Sequence, residues 1–307
     1  MPVARAVVFE LEGVGEFEGS SSGGLFGESR VVVRLSVQRL SKLGLLVQQP
    51  PSRLATAVWE PAVRLERLGG RLCRFHEDVE GEPFYCVKPA VTRDGYCREH
   101  AESWKALYER CAQGDDEACS RVAGSLAEKF AVYALDYGGS KLKIGLTQSW
   151  RIAWRIAEQP HVAAALLATG SLEEMRCLER ELGRRPAATE GAGIRLVERV
   201  ERAVKALSAS RFEVLARRLA SLLLELGLEG EFQAVTILPR FGLEVFAGAE
   251  ARSIEDLVGA ELRLIDYWAG ELVLEDRRGE RFLIDKLELL HRVLDAEVRL
   301  TTRERGR

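Results

Sequence analysis

Apolar and polar positions run in short strand-like bursts at both ends of the chain and at helical spacing in the middle. Residues 7–11 and 30–36 read as strands, and the Gly/Ser-rich run 19–24 between them predicts a mobile hairpin loop. Pro50-Pro51 interrupts the pattern, residues 55–59 and 62–68 give two further short strands, and Gly69-Gly70 closes the segment. From Cys73 to His100 the chain is poor in aliphatic residues and rich in Cys, His, Gly and Pro, which cannot build a hydrophobic core of its own. Residues 101–129 are helical in pattern, broken at 113–116, with Asp116 placed to cap the second piece. Residues 131–136 and 141–146 then read as two strands joined by Tyr137-Gly138-Gly139-Ser140, a hairpin signal. Helices are predicted at about 150–158, 162–168, 171–183, 194–207 and 212–226, and Ser171 with Glu174 makes a capping box. After Gly230 short strands return, at 231–238, 243–247, 261–266, 271–275 and 281–284, with a tight turn at 277–280; this tail reads as a small barrel or sheet.

With 307 residues the chain exceeds what one compact core usually holds, so the expectation is a multidomain α+β protein. A β-rich N-terminal domain over 1–68, a Cys/His insert over 69–104, an α/β core with flanking helices over 105–229 and a small β-rich domain over 230–307 follow from the pattern. At 47% apolar and 30% charged residues, wholesale disorder is excluded. No apolar run reaches the eighteen or so residues of a membrane helix, and the first residues lack the features of a signal peptide. The reading is a cytoplasmic protein without a membrane partner. A formal net charge of −3 excludes a globally basic nucleic-acid coat protein, so any polyanion site must be a local patch. Arg outnumbers Lys 36 to 8 and Asn is absent, which fits a heat-adapted source or a GC-rich genome.

Three of the six Cys and two of the four His fall between positions 73 and 100, as Cys73-x2-His76, Cys86 and Cys97-x2-His100. In an intracellular chain this clustering points to structural zinc rather than to disulfides. Zn²⁺ takes four soft or borderline ligands in a tetrahedron, and an x2 gap lets one tight turn present two of them. Gly95 precedes the second pair, where the chain must fold back. Five candidates compete for four positions: Cys73, Cys86, Cys97 and His100 are favoured because thiolates bind Zn²⁺ most strongly, and His76 in place of Cys86 is the alternative. Cys111, Cys119 and Cys177 read as small buried residues.

The stretch Ala131-Val132-Tyr133 … Lys143-Ile144-Gly145 … Arg151 … Arg155 … Glu179 resembles the core of the GIY-YIG nucleases. In that family one strand carries Gly-Ile-Tyr, the next Tyr-Ile-Gly, an Arg opens the following helix, and a later helix supplies a metal-binding Glu. Val132-Tyr133 and Lys143-Ile144-Gly145 stand for the two strand motifs here, and Thr147 also fits. A second resemblance, over about residues 70–185, is to a family of uncharacterised, mainly archaeal and bacterial proteins in which a cysteine cluster precedes such a core. The resemblance implies phosphodiester cleavage, with Glu179 holding one Mg²⁺ or Mn²⁺, Arg155 or Arg151 clamping phosphate oxygens and Tyr133 orienting the water. The chain departs from the motif in three ways: Ala131 replaces the first Gly, Lys143 replaces the second Tyr, and the Arg stands two residues further from Gly145. The resemblance therefore also fits a core that binds without cutting.

Charge adds an independent argument. From residue 137 to 157 there is no acid, while Lys141, Lys143, Arg151 and Arg155 are positive and Trp150 and Trp154 lie among them. Cations beside aromatic faces suit unstacked bases, which makes nucleic acid the expected partner. In a helix Trp154 reads as core and Trp150 as nearer the surface. His161 and His291 read as packing or capping residues. No P-loop, dinucleotide fingerprint or nucleophile elbow is present, so nucleotide-driven, redox and serine-hydrolase readings find no support. Three functions stay open: a metal-dependent nuclease, a zinc-stabilised DNA- or RNA-binding module, and a protein–protein scaffold.

Overall fold

A computed structural model describes residues 1–23, 29–123, 129–189 and 196–300. The chain opens with two long strands, β1 (Val3–Gly23) and β2 (Ser29–Gln48), paired antiparallel from Val3–Gln48 out to Gly23–Ser29. Both run far beyond the expected short strands. The alternation Val31, Val33, Leu35, Val37 buries one face of β2 over its outer half, and a period of two kept over that length holds a ribbon in register. The expected mobile loop at 19–23 is therefore strand; residue 24 lies outside the described residues.

β3 (Ala55–Trp59) and β4 (Pro61–Arg71) follow, then a small hairpin of β5 (His76–Val79) and β6 (Glu82–Tyr85). Helices α1 (Trp104–Ala112) and α2 (Asp116–Ala123) come next. Asp115 rather than Asp116 caps α2, its Oδ1 accepting from the Ala118 N–H at 2.9 Å. The hairpin β7 (Phe130–Asp136) and β8 (Leu142–Gln148) leads through a 3₁₀ turn at Ser149–Arg151 into α3 (Ile152–Ala157). Then come β9 (Ala163–Gly170), α4 (Leu172–Gly183), β10 (Ala188–Thr189), α5 (Leu196–Ala209) and α6 (Phe212–Glu225). The C-terminal part holds β11 (Gly230–Leu238), α7 (Glu244–Ala247), β12 (Glu250–Ala251), β13 (Glu261–Trp268), β14 (Glu271–Asp276), β15 (Arg281–Asp285), α8 (Lys286–Leu289) and β16 (Arg292–Leu300).

Two elements depart from the sequence pattern. The run 162–168, expected as a helix because alanine favours one, is strand β9. Seven residues are too few to hold a helix on propensity alone, and here β7 and β11 pair with the segment on both sides. The run 243–247, expected as a strand, is the one-turn helix α7.

Apart from β5 and β6, which pair only with each other, the strands join in one mixed sheet of order β10-β8-β7-β9-β11-β2-β1-β16-β4-β13-β14-β15-β12, with β3 on β2. Strands from the two ends of the chain interleave: β11 lies between β9 and β2, and β16 between β1 and β4. Among the described residues this path is open, with β10 and β12 at its ends, so the expected small C-terminal barrel is not closed. All seven residues of β7 are buried because the strand is covered on both faces. Val132 and Ala134 point into one core with α4 and α6, while Tyr133 and Leu135 point into a second with α3, β13 and β14. No helix among the described residues is long and apolar enough to cross a membrane.

Candidate functional site

Cys73, Cys86, Cys97 and His100 converge, with one ligating atom from each lying within 4.8 Å of all the others. Cys73 follows β4, Cys86 follows β6, and Cys97 with His100 sits on a tight turn. Gly95 makes that turn possible: its φ is +84°, and a Cβ there would meet the Arg74 side chain at 2.6 Å. The His100 Nδ1 lies 3.2 Å from Cys97 Sγ and 3.6 Å from Cys73 Sγ. Tetrahedral zinc with Zn–S of about 2.3 Å and Zn–N of about 2.0 Å sets sulfur and nitrogen about 3.5 Å apart, so these residues fit such an ion. The Phe75 ring stacks on the imidazole at 4.0 Å between centroids. Backbone N–H groups face the sulfurs, with Lys88 donating to Cys86 Sγ at 3.4 Å. Burial pushes the Cys73 thiol up to about 12, so that thiol needs a cation beside it to ionise at neutral pH. Phe75, Cys73, Cys86, Tyr96, Cys97 and Ala106 make a small core at this point, too small to stand alone. His76 is outside the cluster: its ring packs on Tyr85 at 4.8 Å, and burial takes its pKa down to about 4.

One residue that the sequence pattern did not single out anchors these loops to the sheet. Arg5 is 1% exposed; its Nη1 donates to the Cys73 carbonyl at 3.0 Å and its Nη2 to the Cys86 carbonyl at 2.7 Å. Its Nε donates to Gln48 Oε1 at 2.7 Å. Burial lowers its pKa to about 10, still far above neutrality, so it stays charged.

A second polar cluster gathers around Tyr133. The Tyr133 hydroxyl accepts from Gln159 Nε2 at 2.8 Å and is within hydrogen-bonding reach of Arg155. Lys143 Nζ donates to Gln159 Oε1 at 2.6 Å, so Gln159 ties the two strand-borne residues together. Arg155 and Arg151 both face Glu158, at 3.2 and 3.6 Å, and Lys286 Nζ reaches the same carboxylate at 2.6 Å. Burial alone would raise the Glu158 pKa, but Lys286, Arg151 and Arg155 hold it at about 2. Glu179 stands on the inward stripe of α4 with Leu172, Met175 and Leu182, at three- and four-residue spacing. Burial raises its pKa, its direct partner is Arg176, and its charge acts on Tyr133 while Lys143 acts on it.

Tyr133, Lys143, Arg151 and Arg155 thus share one network, whereas Glu179, on α4 across the other face of β7, pairs with Arg176 and acts on that network at a distance. Glu158, Gln159 and Lys286 were missed. Glu158 lies one residue past the acid-free stretch 137–157, and it pairs with two of that stretch's four cations, Arg151 and Arg155. Trp150 is 56% exposed, as expected, but Trp154 is 38% exposed rather than core; the helix is only six residues long, and the Trp154 ring rests on Phe9 at 5.9 Å. His161 is a buried packing residue: its Nδ1 pairs with the Gln159 carbonyl at 2.8 Å and its Nε2 with the Ile237 N–H at 3.0 Å. Cys111 and Cys119 are joined in a disulfide, because the turn between α1 and α2 folds residues eight apart onto one another. Cys177, expected in the core, is exposed, since it falls on the face of α4 opposite the inward stripe.

No known protein family, curated protein or solved structure matches this chain.

Proposed function

We propose that the chain is a zinc-stabilised protein that interacts with nucleic acid through a GIY-YIG-like core. Three thiolates and one imidazole suit Zn²⁺, and four protein ligands leave no open position, which makes such a site structural. The observation that carries the nucleic-acid reading is the network in which Gln159 joins Tyr133 and Lys143 beside Arg155; Glu179 acts on it electrostatically from α4, which packs on the other face of β7. Those are the residues, in that order, on which the resemblance rests. In a cleaving enzyme Glu179 would hold Mg²⁺ or Mn²⁺, whose charge would polarise the phosphate. Arg155 would neutralise non-bridging oxygens through its planar fork, and the Tyr133 oxygen would orient water.

Binding without cleavage is a second reading, and two observations favour it over an active nuclease. Tyr133 is 1% exposed, and Glu158 engages both arginines. Oligonucleotide pools of DNA and RNA, single- and double-stranded, separate the readings. Retention that weakens steeply with salt, and weakens further in an Arg151→Gln/Arg155→Gln variant, is the expected result. Cleavage that requires Mg²⁺ or Mn²⁺ and disappears in Glu179→Ala would establish the nuclease. Absence of retention at low salt would overturn both and leave the scaffold.

A further inference from the structure

Three of the six cysteines line one cavity of about 1140 Å³ between the α1–α2 pair and α4: the disulfide partners Cys111 and Cys119, and the free thiol Cys177. An exposed ion pair between Asp116 and Arg180 bridges the two walls. Cys119 lies three residues after Asp116 on α2, and Cys177 three residues before Arg180 on α4. Each cysteine therefore shares a helix face with the ion-pair residue of its own helix, and the pair turns those faces toward the same space. The two sulfurs of the disulfide differ in access. Cys111 is fully buried against the core, whereas Cys119 is half-buried and on the cavity side. Cys177 is exposed.

We propose that this cavity is a thiol–disulfide exchange site in which Cys177 is the attacking group and Cys119 the sulfur attacked. The Cys177 thiol gives up its proton, and its thiolate forms a new bond to Cys119 Sγ. The Cys111–Cys119 bond breaks, and Cys111 leaves as a thiolate that takes up a proton. One disulfide and one thiol stand on each side of the step, so no outside oxidant or reductant is needed. The exchange converts a link within the α1–α2 pair into a covalent tie between α2 and α4. It does not depend on the nucleic-acid reading.

Peptide mapping of the full chain without reduction, after alkylation with iodoacetamide at neutral pH, tests this. The expected result is a 119–177 cross-linked peptide alongside the 111–119 one, with Cys111 alkylated in the same molecules. A Cys177→Ser variant should give the 111–119 link alone. In Cys111→Ser, mild oxidation with diamide should join Cys119 to Cys177 in nearly all molecules. Wild-type protein with every 111–119 bond intact and Cys177 fully alkylated would overturn the proposal, whether or not the Cys111 variant folds.

Discussion

Tyr133 and Gly145 face each other across the β7–β8 hairpin, and the phenol ring fills the space where a residue-145 side chain would stand. A Cβ on Gly145 would lie 2.5 Å from the Tyr133 ring carbon and from its hydroxyl. The glycine is therefore the reason the phenol can lie along the sheet and accept from Gln159. Gly145→Ala should displace the ring, cost about 1–3 kcal/mol in urea unfolding, and release Gln159 from Tyr133. An unchanged unfolding midpoint would show that the ring has another place to go.

Metal content offers a direct check on the cysteine cluster. Elemental analysis should give about one zinc per chain. Cys97→Ser should empty the site and loosen residues 73–100 to proteolysis, while His76→Ala should leave the metal in place. Loss of zinc on changing His76 would mean that the ligand set drawn from the geometry is wrong.

Arg5 should matter to the metal without touching it. Its guanidinium holds the carbonyls of two ligand-bearing residues, Cys73 and Cys86, against the sheet. Arg5→Met keeps the bulk but leaves those carbonyls and the Gln48 Oε1 unpartnered, at about 1–3 kcal/mol for each buried group. Zinc affinity should fall about 10–100-fold, as is usual when a ligand's supporting shell is lost. Competition against a colorimetric chelator measures it, and equal affinity of the two proteins would remove Arg5 from the account.

How much of this was legible in the sequence depends on the range of each interaction. Cys73, Cys86, Cys97 and His100 stood out because soft ligands crowd into a segment that cannot form a core. The β7–β8 hairpin and the Ser171 capping box are local, and both were read correctly. Strand β9 was misread because its neighbours β7 and β11 decide its state, and β11 begins some sixty residues downstream in the sequence shown. Arg5 and Lys286 escaped notice for the same reason: each is one of many cations, and only the fold brings them to Cys86 and to Glu158. Cys177 was placed inside on residue type alone, although the apolar spacing of α4 puts it on the outer face.

Glu158 should restrain the cations that would meet a polyanion. It accepts from Lys286, and pairs with Arg151 and Arg155, while mostly shielded from water. Glu158→Gln keeps the shape and removes the charge, leaving Lys286 buried beside an amide. Stability should fall by about 2–4 kcal/mol. Oligonucleotide affinity at low salt should rise several-fold, with a steeper salt dependence, because two arginines lose their internal partner. Weaker retention by a folded Glu158→Gln protein would mean that these arginines do not face the ligand.

His161 should make stability depend on pH below neutrality. With the Ile237 N–H donating to Nε2 and Nδ1 donating to the Gln159 carbonyl, the ring is held in one neutral tautomer. Burial lowers its pKa to about 4, against about 6.5 in an unfolded chain. Between these values the unfolded state binds a proton that the folded state refuses. The contribution is thus complete above about pH 6.5 and is lost as pH falls toward 4, by about 3 kcal/mol in full. Glu271 works in the opposite direction, since burial raises its carboxyl to about 7 and its proton is held more tightly in the folded state. The difference between two proteins isolates the histidine. Urea unfolding of wild type and His161→Gln at pH 7 and pH 5 should show the wild type losing about 2 kcal/mol more than the variant over that interval. Parallel losses in the two proteins would mean that the folded chain accommodates a charged imidazole at this position.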